Sequence, residues 1–295
     1  MMKTSSYLLM GSLAAGFTLT AQAAVLVSYE TGNAYVSADT TFNTTATQTG
    51  SSPYTYVNAF SDTTQLSPAT DYTGPTFYGG YEFSSSTVAR GITRQQIRNY
   101  AEGDQIYMQS FNSGGWLNSV LSLHGIYVFL QQDFNSGYNT GSISLEGVSM
   151  IWDGYGNTAG SESFDFEGRL AIQINGTYYL SDLVIDLSQY NGNVDISGTT
   201  LTNAKWAAYT PSADLDFDAG SASFIDLELT SITAVGIYFE EDGWNGTDAA
   251  NAAYGFGIES FTATGSVIPE PSQMGALLGA VCLLSVLVAR RRTKS

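Results

Sequence analysis

Three aspartates alternate with two apolar residues in Asp214-Leu215-Asp216-Phe217-Asp218. On an extended strand this spacing puts all three carboxylates on one face, about 6.5–7 Å apart. Like charges held so close repel unless a cation neutralises them, and an oxygen-rich cluster suits Ca²⁺. The Gly and terminal Glu of an EF-hand loop are absent, so a Ca²⁺ site and a solvated strand face are both open readings. Glu240, Glu241 and Asp242, with Asp248 nearby, form a second acidic cluster open to the same two readings. No other cofactor is expected.

Nucleophilic and acid–base chemistry has few carriers. His124 is the chain's sole histidine and lies in a strand-like run, Leu121 to Val128. A Ser-His-Asp triad would have to use it, but no Gly-x-Ser-x-Gly elbow accompanies it. It reads as a partly buried strand residue, and it supplies too few ligands for a His-based zinc site. Glycoside hydrolysis needs two carboxyl groups about 5–5.5 Å or 6.5–9.5 Å apart. Glu146, Asp153, Asp165 and Glu167 are candidates, but in so acidic a chain some pair meets that condition by chance. The expectation is therefore a protein that is not an enzyme. Exposed aromatic rings stack on sugars, and Trp116 and Trp244, both in Gly- and Asn-containing segments, are the candidate sugar-binding residues. Trp152 ends an alternating strand and belongs in the core. Arg90, Arg94 and Arg98 would share one face of a helix, placed either to clamp acidic sugars or to neutralise carboxylates.

The elements that must position these residues are mostly strands. Alternating apolar patterns mark Val25–Tyr29, Tyr54–Phe60, Thr76–Phe83, Ile106–Phe111, Ser122–Gln131, Ser142–Trp152, Glu162–Ile174, Tyr178–Asp186, Phe224–Leu229, Thr233–Glu240 and Gly255–Thr264. Asn175-Gly176 reads as a tight hairpin turn, and Val88–Tyr100 is the best helix candidate. Many short strands with closely spaced turn signals predict an all-β fold, an antiparallel β-sandwich.

Both ends of the chain differ from this body. Met1–Ala23 has a positive start at Lys3, an apolar stretch from Tyr7 to Thr20 and the A-x-A cleavage site Ala21-Gln22-Ala23, the pattern of a secretory signal peptide. At the other end Pro269-Glu270-Pro271 precedes an uncharged 16-residue run, Met274–Ala289, and then Arg290-Arg291-Arg292 and Lys294. As a helix that run reaches about 24 Å, against a hydrocarbon core of roughly 30 Å. The arginines would hold its end in the cytoplasm. The reading is a signal peptide at 1–23, an exported β-sandwich at 24–266 and a tail with a transmembrane helix at 267–295. Between the two ends remain five basic and 26 acidic residues, a net charge of −21. Such a body does not bind nucleic acid through general electrostatics. The only cysteine, Cys282, lies in the tail, which excludes disulfides and Cys-based chemistry from the body.

Val267-Ile268-Pro269-Glu270-Pro271, the apolar run and the Arg-rich end together resemble the PEP-CTERM sorting signal of Gram-negative bacteria. The resemblance implies signal peptidase and secretion machinery, then an exosortase-type membrane protease that cuts near the Pro-Glu-Pro triplet. It implies a precursor transiently in the inner membrane and a mature form at the cell surface or in an extracellular polysaccharide matrix. The strand order of the second half, with Thr233–Phe239 and Tyr254–Phe261, resembles jelly-roll folds of carbohydrate-binding and laminin-G-like modules. The function expected is a non-catalytic surface or matrix protein that binds exopolysaccharide. The alternatives are a secreted hydrolase or lyase acting on polysaccharide, and a structural or adhesive coat protein. Replacing Pro269 and Pro271 together by alanine should leave uncleaved precursor in the inner membrane, and normal maturation of that variant on an immunoblot would refute the sorting reading.

Overall fold

The computed structural model describes residues 23–30, 47–48, 54–62, 74–85, 93–100, 103–111, 120–156, 166–189, 191–211, 215–242 and 253–268. Its strands are β1 (Ala24–Glu30), β2 (Thr47–Gln48), β3 (Tyr54–Ser61), β4 (Tyr78–Ser85), β5 (Thr93–Tyr100), β6 (Gly103–Phe111), β7 (Val120–Leu130) and β8 (Ile143–Gly156). There follow β9 (Glu167–Ile174), β10 (Thr177–Ser181), β11 (Ile185–Asp186), β12 (Gly192–Ser197), β13 (Lys205–Tyr209), β14 (Ile225–Asp226), β15 (Ile232–Asp242) and β16 (Ala253–Val267). One short helix, α1 (Gly198–Asn203), joins β12 to β13. The strands form two sheets. The smaller runs β12-β8-β16-β6-β5, with β1 also on β16; the larger runs β14-β13-β10-β9-β15-β7-β4-β3-β2, with β11 on β9. Every ladder among the described residues is antiparallel. The expected antiparallel β-sandwich is thus present.

One core fills the space between the sheets. Leu26, Val27 and Tyr29 of β1, Val148, Met150 and Trp152 of β8, and Phe256, Ile258 and Phe261 of β16 meet Tyr127, Phe129, Leu170, Ile172, Ile237 and Phe239 of the larger sheet. Aromatic rings bridge the layers, Phe239 to Phe256 at 5.0 Å and Phe129 to Phe261 at 5.2 Å between centroids. Each such side chain contributes roughly 1.5–3 kcal/mol by leaving water. Trp152 is buried, as its place at the end of an alternating run requires.

A second apolar cluster lies on the outer face of the larger sheet. Tyr78, Ile126, Val128, Ala171, Tyr178, Leu180, Ala207, Tyr209, Ala234 and Tyr238 are buried there beneath Leu215 and Phe217. Strands with both faces buried read as nearly continuous apolar runs, which describes Ile126–Phe129 and Ala234–Phe239. The cover is the irregular segment 215–224, which crosses this face as a strap.

Asn175 and Gly176 both have positive φ, 51° and 81°, and join β9 to β10 in the expected hairpin turn. The expected helix over Val88–Tyr100 is corrected: Thr93–Tyr100 is strand β5, paired from Thr93↔Ser110 to Tyr100↔Gly103 with β6. Phe224–Leu229 contributes only the two-residue β14, and β12 and β13 are additional strands. Among the described residues no helix is long and apolar enough to cross a membrane; the expected C-terminal helix and all of the signal segment but Ala23 lie outside them. Gly236 sits where an added methyl would meet the Tyr127 carbonyl oxygen. Backbone cannot yield there as a flexible side chain can, so Gly236→Ala should cost about 3 kcal/mol, measurable as a lowered urea midpoint.

Candidate functional site

Registry brings the polar groups together in one row across the outer face of the larger sheet. Glu82 of β4 lies opposite His124 of β7, His124 opposite Glu240 of β15, and Glu240 opposite Glu167 of β9. One step towards the sheet centre, Ile126, Tyr238 and Arg169 form the next row. Sequence spacing alone could not assemble it, because its members come from four strands up to 158 positions apart in the chain. The one available signal was that each of these polar residues interrupts the apolar set on its own strand.

The strap closes over this row. The Leu215 N–H donates to Glu82 Oε2 at 3.0 Å, and the Tyr209 hydroxyl donates to the Leu215 carbonyl at 2.9 Å. Asp216 Oδ1 stands 3.8 Å from His124 Nε2, an ion-pair distance when the imidazole is protonated and too long for a hydrogen bond. The Phe217 N–H donates to the Tyr238 hydroxyl oxygen at 3.2 Å, and that hydroxyl donates to Glu240 Oε2 at 2.9 Å. Burial, and then the Glu240 carboxylate, push the Tyr238 phenol far above its usual range, which keeps it a donor. Arg169 is buried, 3.8 Å from Glu240, gives a hydrogen bond to the Ser181 carbonyl and lies 5.8 Å from the centre of the Phe217 ring.

This arrangement fastens irregular backbone to a sheet. The strap has no ladder of its own, and its buried N–H groups need acceptors. Glu82 and Tyr238 supply them. His124 lies on a strand as expected and, at 5% exposed, is buried more fully than the partly buried residue its surroundings suggested. Ser122 and Ser84 occupy the next row outwards and bond each other, Oγ to Oγ, at 2.8 Å. Ser122 is two residues along the strand from His124, about 6.5–7 Å, beyond direct proton transfer.

The aspartate triplet divides. Leu215 and Phe217 are buried while Asp216 and Asp218 are exposed, the alternation its spacing predicts, although the segment is not a strand. Asp216 faces His124. Asp218 turns back on its own loop and accepts the N–H groups of Gly220 and Ser221 at 2.9 and 3.2 Å. The Ser221 side chain and these N–H groups hold its carboxyl below the ordinary range. Asp214 lies outside the described residues, and among them no group of three acidic, His or Cys residues is placed to hold a metal.

The carboxylates proposed for hydrolysis do not converge. Asp153 stands on the outer face of the smaller sheet and Glu167 on the outer face of the larger one, with the sandwich between them. Glu146 accepts a hydrogen bond from Ser266, and Asp165 lies outside the described residues. The carboxylate pair that registry does create is Glu167 with Glu240, directly opposite each other. Trp116, Trp244, Asp248, Arg90, Ala21, Pro269, Glu270, Pro271 and Arg290–Arg292 also lie outside the described residues; Ala23 is exposed, immediately before β1.

Replacing Tyr238 by phenylalanine removes a donor to Glu240 and the acceptor for Phe217. A loss of about 1–3 kcal/mol in urea unfolding, with the fold retained, is the expected outcome. A comparison of the chain with protein-family models, with curated proteins and with solved structures finds no match.

Proposed function

We propose that this is an exported, non-catalytic surface or extracellular-matrix protein that binds polysaccharide, released from an inner-membrane precursor by an exosortase-type protease. The observation that carries the non-catalytic part is the use made of the polar row. Glu82, Tyr238 and Glu240 spend their hydrogen bonds on the strap and on each other, and His124 faces Asp216 at its edge. Groups so committed serve packing rather than a reacting substrate. The sandwich supports a jelly-roll-like scaffold of the carbohydrate-binding kind, but a fold alone names no ligand.

In this reading Trp116 and Trp244 supply stacking faces for sugar rings. The strand ends that flank them, Phe111 and Val120, Asp242 and Ala253, all belong to one pole of the sandwich. Ca²⁺ would bind at Asp214, Asp216 and Asp218 only by competing with the His124 contact and the Asp218 turn. Signal peptidase, the secretion machinery and the sorting protease are the processing partners, and exopolysaccharide is the resident one. An adhesive coat role shares the localisation and differs in binding protein instead of sugar.

A glycan array probed with residues 24–268, with and without Ca²⁺, tests the reading. Binding that is lost on replacing Trp116 and Trp244 by alanine is expected, and no binding to any glycan overturns it. The Glu167–Glu240 register favours one second reading, a glycoside hydrolase. Its signature would be sugar release abolished by Glu167→Gln and by Glu240→Gln separately.

A further inference from the structure

Strand β1 opens directly on the bond that the signal-peptide reading cuts. Ala23 is exposed, and Ala24, the next residue, already pairs with Gly265 of β16. The residues that follow are held on both sides. On one side the ladder runs through Val25↔Thr264 and Val27↔Ala263 to Glu30↔Ser260. On the other, Asn135 reaches in from the segment after β7. Its side-chain amide donates to the Val25 carbonyl at 3.0 Å, and its backbone N–H donates to the Leu26 carbonyl at 2.7 Å. Leu26, Val27 and Tyr29 are no more than 1% exposed and belong to the core between the sheets. β1 also fills a slot of set length. β8 lies along one edge of β16, from Ile143↔Val267 to Gly156↔Tyr254. On the other edge β6 covers Ala253–Ile258 and β1 covers Ser260–Gly265. Without β1, that second stretch has no partner strand among the described residues, and the core lacks three side chains.

We infer that signal-peptide cleavage and the docking of β1 exclude each other: the bond between Ala23 and Ala24 is cut before β1 closes the smaller sheet, and Asn135 is the latch that seats the new N-terminus. This rests on the reading of Met1–Ala23 as a signal peptide. A processing protease holds its substrate extended, through the same backbone N–H and C=O groups that a strand gives to its neighbours. In the docked state the ladder begins at Ala24, and Asn135 takes the carbonyls of Val25 and Leu26. Strand ends fray at little cost, so Ala24 alone is no barrier. Leu26 is one, because freeing it moves an apolar side chain from the core into water. Cleavage of a docked chain therefore waits on local opening. The order of events has a structural result. A chain that docks β1 first keeps its signal peptide, whereas a chain cut first fills the β16 slot with a free end.

The test uses the full chain, folded in detergent micelles and given purified signal peptidase, with cleavage followed by intact mass. Leu26→Asp leaves Ala21 to Ala24 unchanged while barring β1 from the core, and serves as the undocked reference. The unaltered chain should be cut at least about tenfold more slowly than this variant. Asn135→Ala removes only the side-chain half of the latch and should speed cutting of the folded chain by roughly two- to tenfold. Gly236→Ala, which weakens the larger sheet instead, should leave the rate alone, so release of β1 is told apart from a general loss of stability. Cutting of the unaltered chain as fast as Leu26→Asp overturns the inference alone, and an unchanged rate in Asn135→Ala removes the latch from it. If neither the unaltered chain nor Leu26→Asp is cut, the signal-peptide reading falls and the inference with it.

Discussion

Burial on both faces of β7, β9 and β15 is the constraint on which the rest of the protein depends. The body has no cysteine and cannot be stapled by a disulfide. Packing must supply what small secreted domains often obtain from covalent links. One face of these strands meets the smaller sheet across an aromatic-rich core. The other would leave Ile126, Val128, Ala234 and Tyr238 in water if nothing covered it. The strap is the solution, and it brings a second requirement. A segment without strand partners carries N–H groups that must find acceptors on the sheet below. The polar row satisfies that requirement, so the most chemically suggestive cluster of the protein follows from the need to cover a face.

This explains which parts of the structure could be read in the sequence. Alternation reports one buried face. It located β8 and β10 well because their buried residues recur at every second place, whereas β7 and β15, buried on both faces, showed as nearly continuous apolar runs. The Asn175-Gly176 turn was legible because two consecutive positive φ values suit few other residue pairs. Thr93–Tyr100 misled because Arg94 and Arg98, four apart, share a face in a helix and in a strand alike; the hairpin with β6 decides between them. β13 went unseen because Lys205-Trp206-Ala207-Ala208-Tyr209 has apolar residues on both faces and only Lys205 to mark the outside. The aspartate triplet was legible in its alternation but not in its use, because the partners of Asp216 and of the Leu215 amide come from β7 and β4, far away in the chain.

The molecule has a polarity that no single residue announces. Acidic groups gather where β4, β8, β9 and β15 approach one end, while the end where β1 starts and β16 stops carries Asp62, Asp133 and Glu228 among the described residues. Neither grouping is local in sequence, since each pole collects segments from the whole length of the chain. Antiparallel pairing creates the division, because successive strands return alternate connections to opposite ends. An acidic far end keeps such a protein soluble.

The β1–β16 pairing also fixes how the domain responds to force. Ala24 and Gly265 are neighbours at the open end of an antiparallel ladder, and their strands run away from that end together. A pull applied between the two termini would load the first cross-strand bonds and release them one after another, as in opening a zip. A pull through one terminus, with the body held elsewhere, would load the long β16–β8 ladder from its Ile143–Val267 end. The domain is thus mechanically weak between its own ends, while β16, gripped by β8 on one side and by β6 and β1 on the other, is the strand whose extraction would dismantle the smaller sheet.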